Sequence, residues 1–436
     1  MAQAPVPTPK SPALATLVAR GYFEQASDVE AIDRALASGM VTFYIGFDPT
    51  APSLHAGNLL TIMAMRVLQR HGHRPLCLLG GGTAMVGDPS GKTEMRKILT
   101  PETIARNAQA FRDQFACFLH FDTGAENDAL LLNNADWLMG LKYIEFLRDI
   151  GRHFTVNRMV AVKTYRDRLD AEIPLSFLEF NYQLLQAYDF FHLSEKYNCS
   201  LQLGGSDQWG NMIAGVELIR RIAGEQRDAG HDRGASGATC LTFPLLTTSD
   251  GRKMGKSERG AVWLSRDLLS PFEYYQYWIN RDDRDVARLL RLYTELPLEE
   301  IDEITRVEGS AMRAATRRLA FEATRLLHGE EAATQAATAS QQAFGGGGDW
   351  SAVPERTIEL AEIKLVDLLV HEHVQAFKSK RETRRRVEGK AVKINGEPCT
   401  DPNRVLTASD HDDQGLRIKV GKKRFRICLS PPQAAT

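Results

Sequence analysis

Apolar positions between Val41 and Leu79 change period twice. Val41 to Phe47 is a run of β-branched and aromatic residues. Leu59, Ile62, Met63, Val67 and Leu68 then recur at helical spacing up to His71, and Pro75 to Leu79 is a short apolar run ending in Gly80-Gly81-Gly82. Side chains alternate faces along a strand but return to one face every three or four residues on a helix, so the segment predicts strand, helix, strand. Leu130 to Asn133, Cys199 to Leu203 and Leu241 to Thr247 are further strand candidates. They alternate with helical stretches such as Ser176 to Phe190 and Trp209 to Ile222. Such alternation predicts a parallel α/β sheet, with ligands at the carboxyl ends of its strands.

After Lys256 the strand pattern stops, and Pro271 to Gly329 reads as successive helices rich in Ala, Leu and Arg. Gly345 to Gly348 suits neither helix nor strand and marks a linker or exposed loop, near which the last domain boundary is placed. Ile363, Val366, Val370, Val374 and Phe377 then predict an amphipathic helix over Ile363 to Phe377, followed by Lys378-Ser379-Lys380-Arg381 and Arg384-Arg385-Arg386. Ala391 to Gly396 reads as a strand ending in an Asn-Gly turn, and Arg417 to Leu429 as a basic hairpin. No internal repeat with a period of about 20 to 50 residues is visible.

A chain of 436 residues exceeds what one core usually supports, so two or three domains are expected. With 43% hydrophobic and 25% charged residues the composition is that of a folded, soluble protein, which sets disorder aside. The net charge of −1 hides an asymmetry. Ile363 to Thr436 holds 16 Lys and Arg against nine Asp and Glu, a surplus of +7, which leaves 38 against 46, or −8, in the rest. A basic module on an acidic body points to an anionic partner for the tail. The six scattered cysteines lack the close spacing of zinc ligand pairs and read as free thiols in a reducing compartment, with the cytoplasm as the default. No apolar run is long enough to cross a membrane, and the Pro-rich Met1 to Lys10 lacks the apolar region of a secretory signal. Met1 to Arg20 contains no acidic residue, a trait shared with organellar presequences.

Two constellations carry candidate chemistry. Tyr44-Ile45-Gly46-Phe47-Asp48-Pro49-Thr50 leads into Ser53-Leu54-His55-Ala56-Gly57-Asn58 at the mouth of a helix. A strand opening onto a helix N-terminus offers backbone N–H groups and a positive dipole end, which suit a triphosphate, and His55 adds a donor. Taken alone, a His-x-Gly is the commonplace start of a helix. The second constellation is Lys253-Met254-Gly255-Lys256-Ser257, two lysines around a glycine that can clamp charge building on phosphate oxygens. A solvated lysine pair is the ordinary alternative. Gly87-Asp88-Pro89-Ser90-Gly91-Lys92-Thr93 invites comparison with a phosphate-binding P-loop, but has three residues between its glycines where that loop needs four. On the stretch Ser176 to Phe190, Tyr182, Gln186 and Asp189 fall on one helix face as a polar stripe, which needs a polar ligand if turned inward.

The two constellations resemble the HIGH and KMSKS signatures of class I aminoacyl-tRNA synthetases, here HAGN and KMGKS. Phe43 to Asn58, Gly87 to Lys92, Tyr182 to Asp189 and Leu203 to Asn211 together resemble bacterial-type tyrosyl-tRNA synthetases, and span most of Phe43 to Ser257. The resemblance implies that Tyr44 and Asp189 bind the substrate phenol, that Asp88, Tyr182 and Gln186 hold its ammonium, and that Gln202 and Gln208 support the pocket and the reacting carboxylate. It further implies an ATP site of Asp48, His55, Gly57, Asn58, Thr61, Gly204, Asp207, Lys253, Lys256 and Ser257. Thr50 and His55 would lie on the γ-phosphate side, with Lys92, Arg96, Lys253 and Lys256 around leaving pyrophosphate. Ile45 and Asn58 depart from some family members, which bears on the ribose contacts alone. Tyr44 and Asp189 favour a phenol over the indole of tryptophan, the substrate of the nearest relatives in fold. The presence of His55, Asp88, Asp189, Lys253 and Lys256 favours a catalyst over an RNA-binding protein that has lost activity.

The family's fold is α/β. The implied organisation is an N-terminal extension with a first helix over 1–35, a Rossmann-like parallel-sheet catalytic domain over 36–248, and a lysine loop with an α-helical anticodon-stem domain over 249–344. A linker over 345–362 precedes a small α+β RNA-binding domain over 363–436. In the last, Ser379 to Lys390 resembles the basic recognition helix of a ribosomal small-subunit protein, with Lys378, Lys380, Arg381, Arg384, Arg385, Arg386 and Lys390 facing RNA. Implied partners are L-tyrosine, ATP with Mg2+ on its phosphates, tRNA(Tyr) and a second copy of the chain, with tRNA spanning both subunits. No protein-only metal site is expected, since His371-Glu372-His373 lacks the spacing of paired zinc ligands.

Overall fold

The computed structural model describes residues 8–88, 100–228, 237–245, 247, 249, 256–257, 260–307, 309–344, 350, 353–411, 415–421 and 423–430. They fall into two compact units: 1–256, 261–269 and 281–319 form the first, and 257–260, 270–280 and 320–436 the second.

The first unit is built on a six-stranded sheet of β1 (Gln25–Ala26), β2 (Thr42–Phe47), β3 (Arg74–Leu79), β4 (Leu130–Asn133), β5 (Cys199–Gly205) and β6 (Thr239–Phe243), in the spatial order β1-β6-β5-β2-β3-β4. All neighbours are parallel except the β1–β6 pair. Central strands covered on both faces need continuous apolar runs, and β3 is accordingly buried from Pro75 to Leu79. The chain winds outward from β2 to β3 and from β5 to β6, so β2 and β5 flank the point where strand order reverses. A crevice opens at the carboxyl ends of strands at such a point.

Helix α1 (Ala56–Arg70) leaves that crevice and buries Leu59, Ile62, Met63 and Leu68. Helix α2 (Tyr182–Tyr197) packs on α3 (Trp209–Asp228) and stops at Asn198, which takes the left-handed conformation that Asn tolerates. The stretch read as one helix from Ser176 is broken. Ser176 and Glu179 form a capping box that starts a separate turn, Phe177–Phe180, and Asn181 separates it from α2. The last strand lies at Thr239–Phe243 and does not run to Thr247, because Pro244 has no N–H for a ladder.

In the second unit, helices Pro271–Ile279 and Glu330–Phe344 pack together over buried Tyr274 and Trp278, and Gln276 Nε2 donates to Ser340 Oγ at 2.9 Å. The remainder is a five-stranded sheet in the order Glu397–Cys399, Val392–Ile394, Leu416–Val420, Lys423–Leu429, Glu355–Ile358. Leu416, Ile418 and Val420 face a core centred on Phe425, with Arg417 and Lys419 alternating outward. Asn395 and Gly396 both take positive φ, 48° and 93°, as the tight hairpin turn requires.

Ile363 to Phe377 is not an amphipathic helix. A strand, Glu362–Lys364, passes into a single helical turn, Leu365–Leu368, and the chain then doubles back so that the N–H groups of Ala376 and Phe377 both donate to the Leu369 carbonyl. The apolar spacing is satisfied by a compact turn that buries Leu368, Leu369 and Val374 in the same core, a tertiary demand that overrides helical period. The basic helix is present as Lys380–Glu388, capped by Ser379 and seated on Thr383 and Val387. Arg417 and Arg424 of the hairpin stack over Trp350 at 5.8 and 5.1 Å, so part of its charge is structural.

Candidate active site

A cavity of about 1240 Å³ opens where β2, β3 and β5 end, large enough for an amino acid and a nucleotide together. Every expected site residue whose side chain is described lines it: Tyr44, Asp48, Thr50, His55, Gly57, Asn58, Thr61, Asp88, Tyr182, Gln186, Asp189, Gln202, Gly204, Asp207 and Gln208. Lys92, Arg96 and Lys253 lie outside the described residues, and of Lys256 and Ser257 only the backbone is described.

At the floor of the cavity, Asp189 is buried, and both its oxygens are held. Asn134 Nδ2 donates to one at 2.9 Å and Trp137 Nε1 to the other at 2.7 Å. Burial pushes the carboxyl up to about 7 against the pull of those two donors. Tyr44 faces the same point from β2. Burial, then the nearby Asp189, raises its phenol well above the usual range, so the hydroxyl keeps its proton. Among the described residues the Tyr44 hydroxyl, Gln186 Oε1 and Gln202 Oε1, all buried, have no hydrogen-bond partner. Three orphaned polar atoms in one buried cavity are costly unless a polar ligand meets them.

A second carboxylate, Asp48, stands at the end of β2. Tyr182 donates to its Oδ2 at 3.1 Å and Thr83 to its Oδ1 at 2.8 Å. Asn134 Nδ2 also donates to Thr83 Oγ1 at 3.0 Å, while its Oδ1 accepts from the Gly82 N–H at 2.8 Å. The amide of Asn134 therefore ties Asp189 to Asp48 through Thr83. A third carboxylate, Asp88, accepts from Gln208 Nε2 at 2.7 Å.

The mouth of α1 differs from the simple donor site read in the sequence. His55 is itself the helix cap: its Nδ1 accepts from the Gly57 N–H at 3.0 Å, and Asn58 Oδ1 accepts from the His55 N–H at 3.0 Å. The bond at Nδ1 places the ring proton on Nε2, which makes that nitrogen the donor of the pair.

Sequence reading missed Thr83, Asn134 and Trp137. A polar pair, Asn133-Asn134, at the carboxyl end of a strand in a parallel sheet was the available signal. It also missed the Arg168–Glu179 pair on the cavity wall, at 2.9 Å, which has no sequence signature.

Residues 37–345 match the family of class I tRNA synthetases for tryptophan and tyrosine, and residues 348–428 match the C-terminal domain of a tyrosine–tRNA ligase type. A tyrosine–tRNA ligase of Clostridium beijerinckii is 48% identical over 94% of this chain and 97% of its own. That of Brucella abortus is 48% identical over 95% and 97%. The chain belongs to the tyrosyl-tRNA synthetases. A C-terminally truncated mitochondrial tyrosyl-tRNA synthetase of Aspergillus nidulans is 31% identical, with a TM-score of 0.68 over 77% of this chain and 94% of that one. The enzyme is thus a tyrosine–tRNA ligase, which activates L-tyrosine with ATP and passes the tyrosyl group to tRNA.

Gly80 is needed for the Asp48 end of this enzyme's cavity. A Cβ there would lie 1.9 Å from Asp48 Oδ1 and 2.5 Å from Thr83 Oγ1. Gly80→Ala should break the Thr83–Asp48 bond and lower tyrosine-dependent exchange of pyrophosphate into ATP about a hundredfold, as displacements of an ångström in a site typically do. Gly140→Ala, with nothing within 4 Å of the added carbon, is the control. Equal activity in the two variants would remove this role from Gly80.

Proposed function

We propose that tyrosine binds with its phenol between Tyr44 and Asp189 and its ammonium beside Asp88, Tyr182 and Gln186. The single observation that carries this reading is the orphaned trio of Tyr44, Gln186 and Gln202 beside a buried carboxylate. A phenol donates its proton to Asp189 and accepts from Tyr44, so one group serves both. ATP then occupies the rest of the cavity, with ribose at Asp207, the backbone approached at Gly204, and phosphates at the N-terminus of α1 near Thr50 and His55. Gln202 and Gln208 support the pocket and the reacting carboxylate, while Gly57, Asn58 and Thr61 border the nucleotide.

In the activation step a substrate carboxylate oxygen attacks the α-phosphorus, and the bond to the bridging oxygen breaks. Pyrophosphate leaves with the electron pair. No protein nucleophile takes part, so the rate rests on alignment and on charge stabilisation by Lys92, Arg96, Lys253 and Lys256. Mg2+ arrives as part of the substrate MgATP, its oxygen ligands supplied by the phosphates. Lys378, Lys380, Arg381, Arg384, Arg385, Arg386 and Lys390 form the RNA-facing surface. All seven are exposed on or beside the capped helix.

The enzyme acts as a homodimer in this reading. Support comes from Met139, Tyr143, Ile144, Val156, Phe177 and Leu178, large apolar side chains that are exposed within one stretch of sequence. The six free cysteines favour a reducing cytoplasm, which fractionation of expressing cells tests. Among the described residues no helix is long and apolar enough to cross a membrane.

Exchange of pyrophosphate into ATP should be supported by tyrosine and hardly by phenylalanine or tryptophan, because a ligand without a phenol leaves buried Tyr44 and Asp189 unmatched, at about 1–3 kcal/mol each. The same assay carries a pH signature. Asp189 binds a proton below about 7, so the KM for tyrosine should rise as pH falls from 8 to 6, and Asp189→Asn should flatten that slope. Equal use of phenylalanine would reject the pocket.

Phe177→Asp should shift the protein from dimer to monomer in equilibrium sedimentation, whereas an unchanged mass would move the interface elsewhere. Replacing Arg384, Arg385 and Arg386 together by Ala should leave tyrosine activation within twofold but weaken tRNA binding. The dependence of log affinity on log salt should become shallower by about one unit for each phosphate that is no longer neutralised. An unaltered slope would leave the tail a solvated appendage.

A further inference from the structure

The indole of Trp137 is gripped twice by one helix. Its Nε1 donates to Asp189, and its face lies against the imidazole of His192, ring centroids 4.3 Å apart and planes 14° from parallel. Asp189 and His192 are three residues apart on α2 and so lie on the same face. Trp137 belongs to a single helical turn, Ala135–Leu138, that follows β4 and is preceded by Asn134. A turn of that length holds few bonds of its own, so the orientation of its indole depends on what packs against it.

We propose that His192 is a positioning residue for tyrosine selection: stacked on Trp137, it fixes the indole N–H that orients the Asp189 carboxylate toward the phenol. The inference rests on the reading that Asp189 meets the phenol. The N–H of a tilted indole cannot stay in line with a carboxylate oxygen, and hydrogen bonds weaken steeply off line. Without the stack, Asp189 would keep the Asn134 bond alone on one oxygen and be free to rotate about it. His192 is half-buried, and the Tyr188 ring lies beside it with centroids 6.4 Å apart. Burial, then Lys196, lowers the proton affinity of the imidazole, and it stacks as a neutral ring.

The test is pyrophosphate exchange with tyrosine and with phenylalanine on the full-length enzyme. His192→Ala should raise the KM for tyrosine roughly three- to tenfold, the weight of a stacked aromatic pair, with kcat and the KM for ATP within about twofold. The preference for tyrosine over phenylalanine should fall by a similar factor. His192→Phe, which keeps a ring to stack, should restore both. Trp137→Phe, which lacks the N–H, should show at least the same loss, and adding His192→Ala to it should change little further. Asp189→Asn separates the two levels of the argument. If it abolishes the preference while His192→Ala leaves it intact, the stack has no role in selection, and the same holds if His192→Phe fails as badly as His192→Ala. If Asp189→Asn itself leaves the preference unchanged, the pocket reading fails and this inference with it.

Discussion

A carboxylate taken out of water must find partners or give up its charge, and the floor of this enzyme's cavity is organised around that demand at Asp189. Two donors, Asn134 and Trp137, come from the turn after β4, and the acid itself comes from α2, 55 residues beyond Asn134. Their pull is not enough to return the carboxyl to its ordinary range, since burial still lifts it to about 7. The group is left poised: charged above about pH 7, and then with capacity to accept one more hydrogen bond. A phenol is a fitting ligand for such a group, because it brings a donor and keeps the rest of the surroundings apolar.

The other carboxylates extend the same logic across the cavity. Asp48 is fixed by Tyr182 and Thr83, and Thr83 is fixed in turn by the Asn134 amide that also holds Asp189. One buried side chain thus sets the geometry at both ends. The requirement explains the backbone around it: Gly80 and Gly81 sit where any side chain would strike Asp48 or Asn133. It also explains why β3 and β4 end together, with the Asn134 N–H donating to the Leu79 carbonyl at 2.9 Å.

Much of this arrangement was legible in the sequence, for identifiable reasons. The β2–α1–β3 unit announced itself by two changes of period, and Tyr182, Gln186 and Asp189 by their place on one helix face. The basic helix was visible in the run of Lys and Arg from Lys378 to Arg386 and in the resemblance, while its Ser379 cap and its seat on Thr383 and Val387 came from the structure. What stayed hidden depended on packing. Ile363 to Phe377 has helical spacing, but the domain's core is better filled by a turn that doubles back on Leu369. His55 looked like a simple donor to phosphate, and it commits one nitrogen to its own helix. Asn134 and Trp137 matter through what they hold, and no pattern along the chain records that.

The two compact units are interleaved along the chain, since residues 257–260 and 270–280 belong with 320–436 and not with their neighbours. On a ribosome, synthesis runs from one end, and segments are released in order. The α/β sheet of the first unit can close early, but the helix Pro271–Ile279, with apolar Tyr274 and Trp278, emerges well before Glu330–Phe344, the helix that covers it. At about 5–20 residues per second that gap lasts several seconds. During this interval the aromatic face of the nascent helix lacks the partner that covers it in the folded enzyme, and no single cut along the chain separates its two units cleanly.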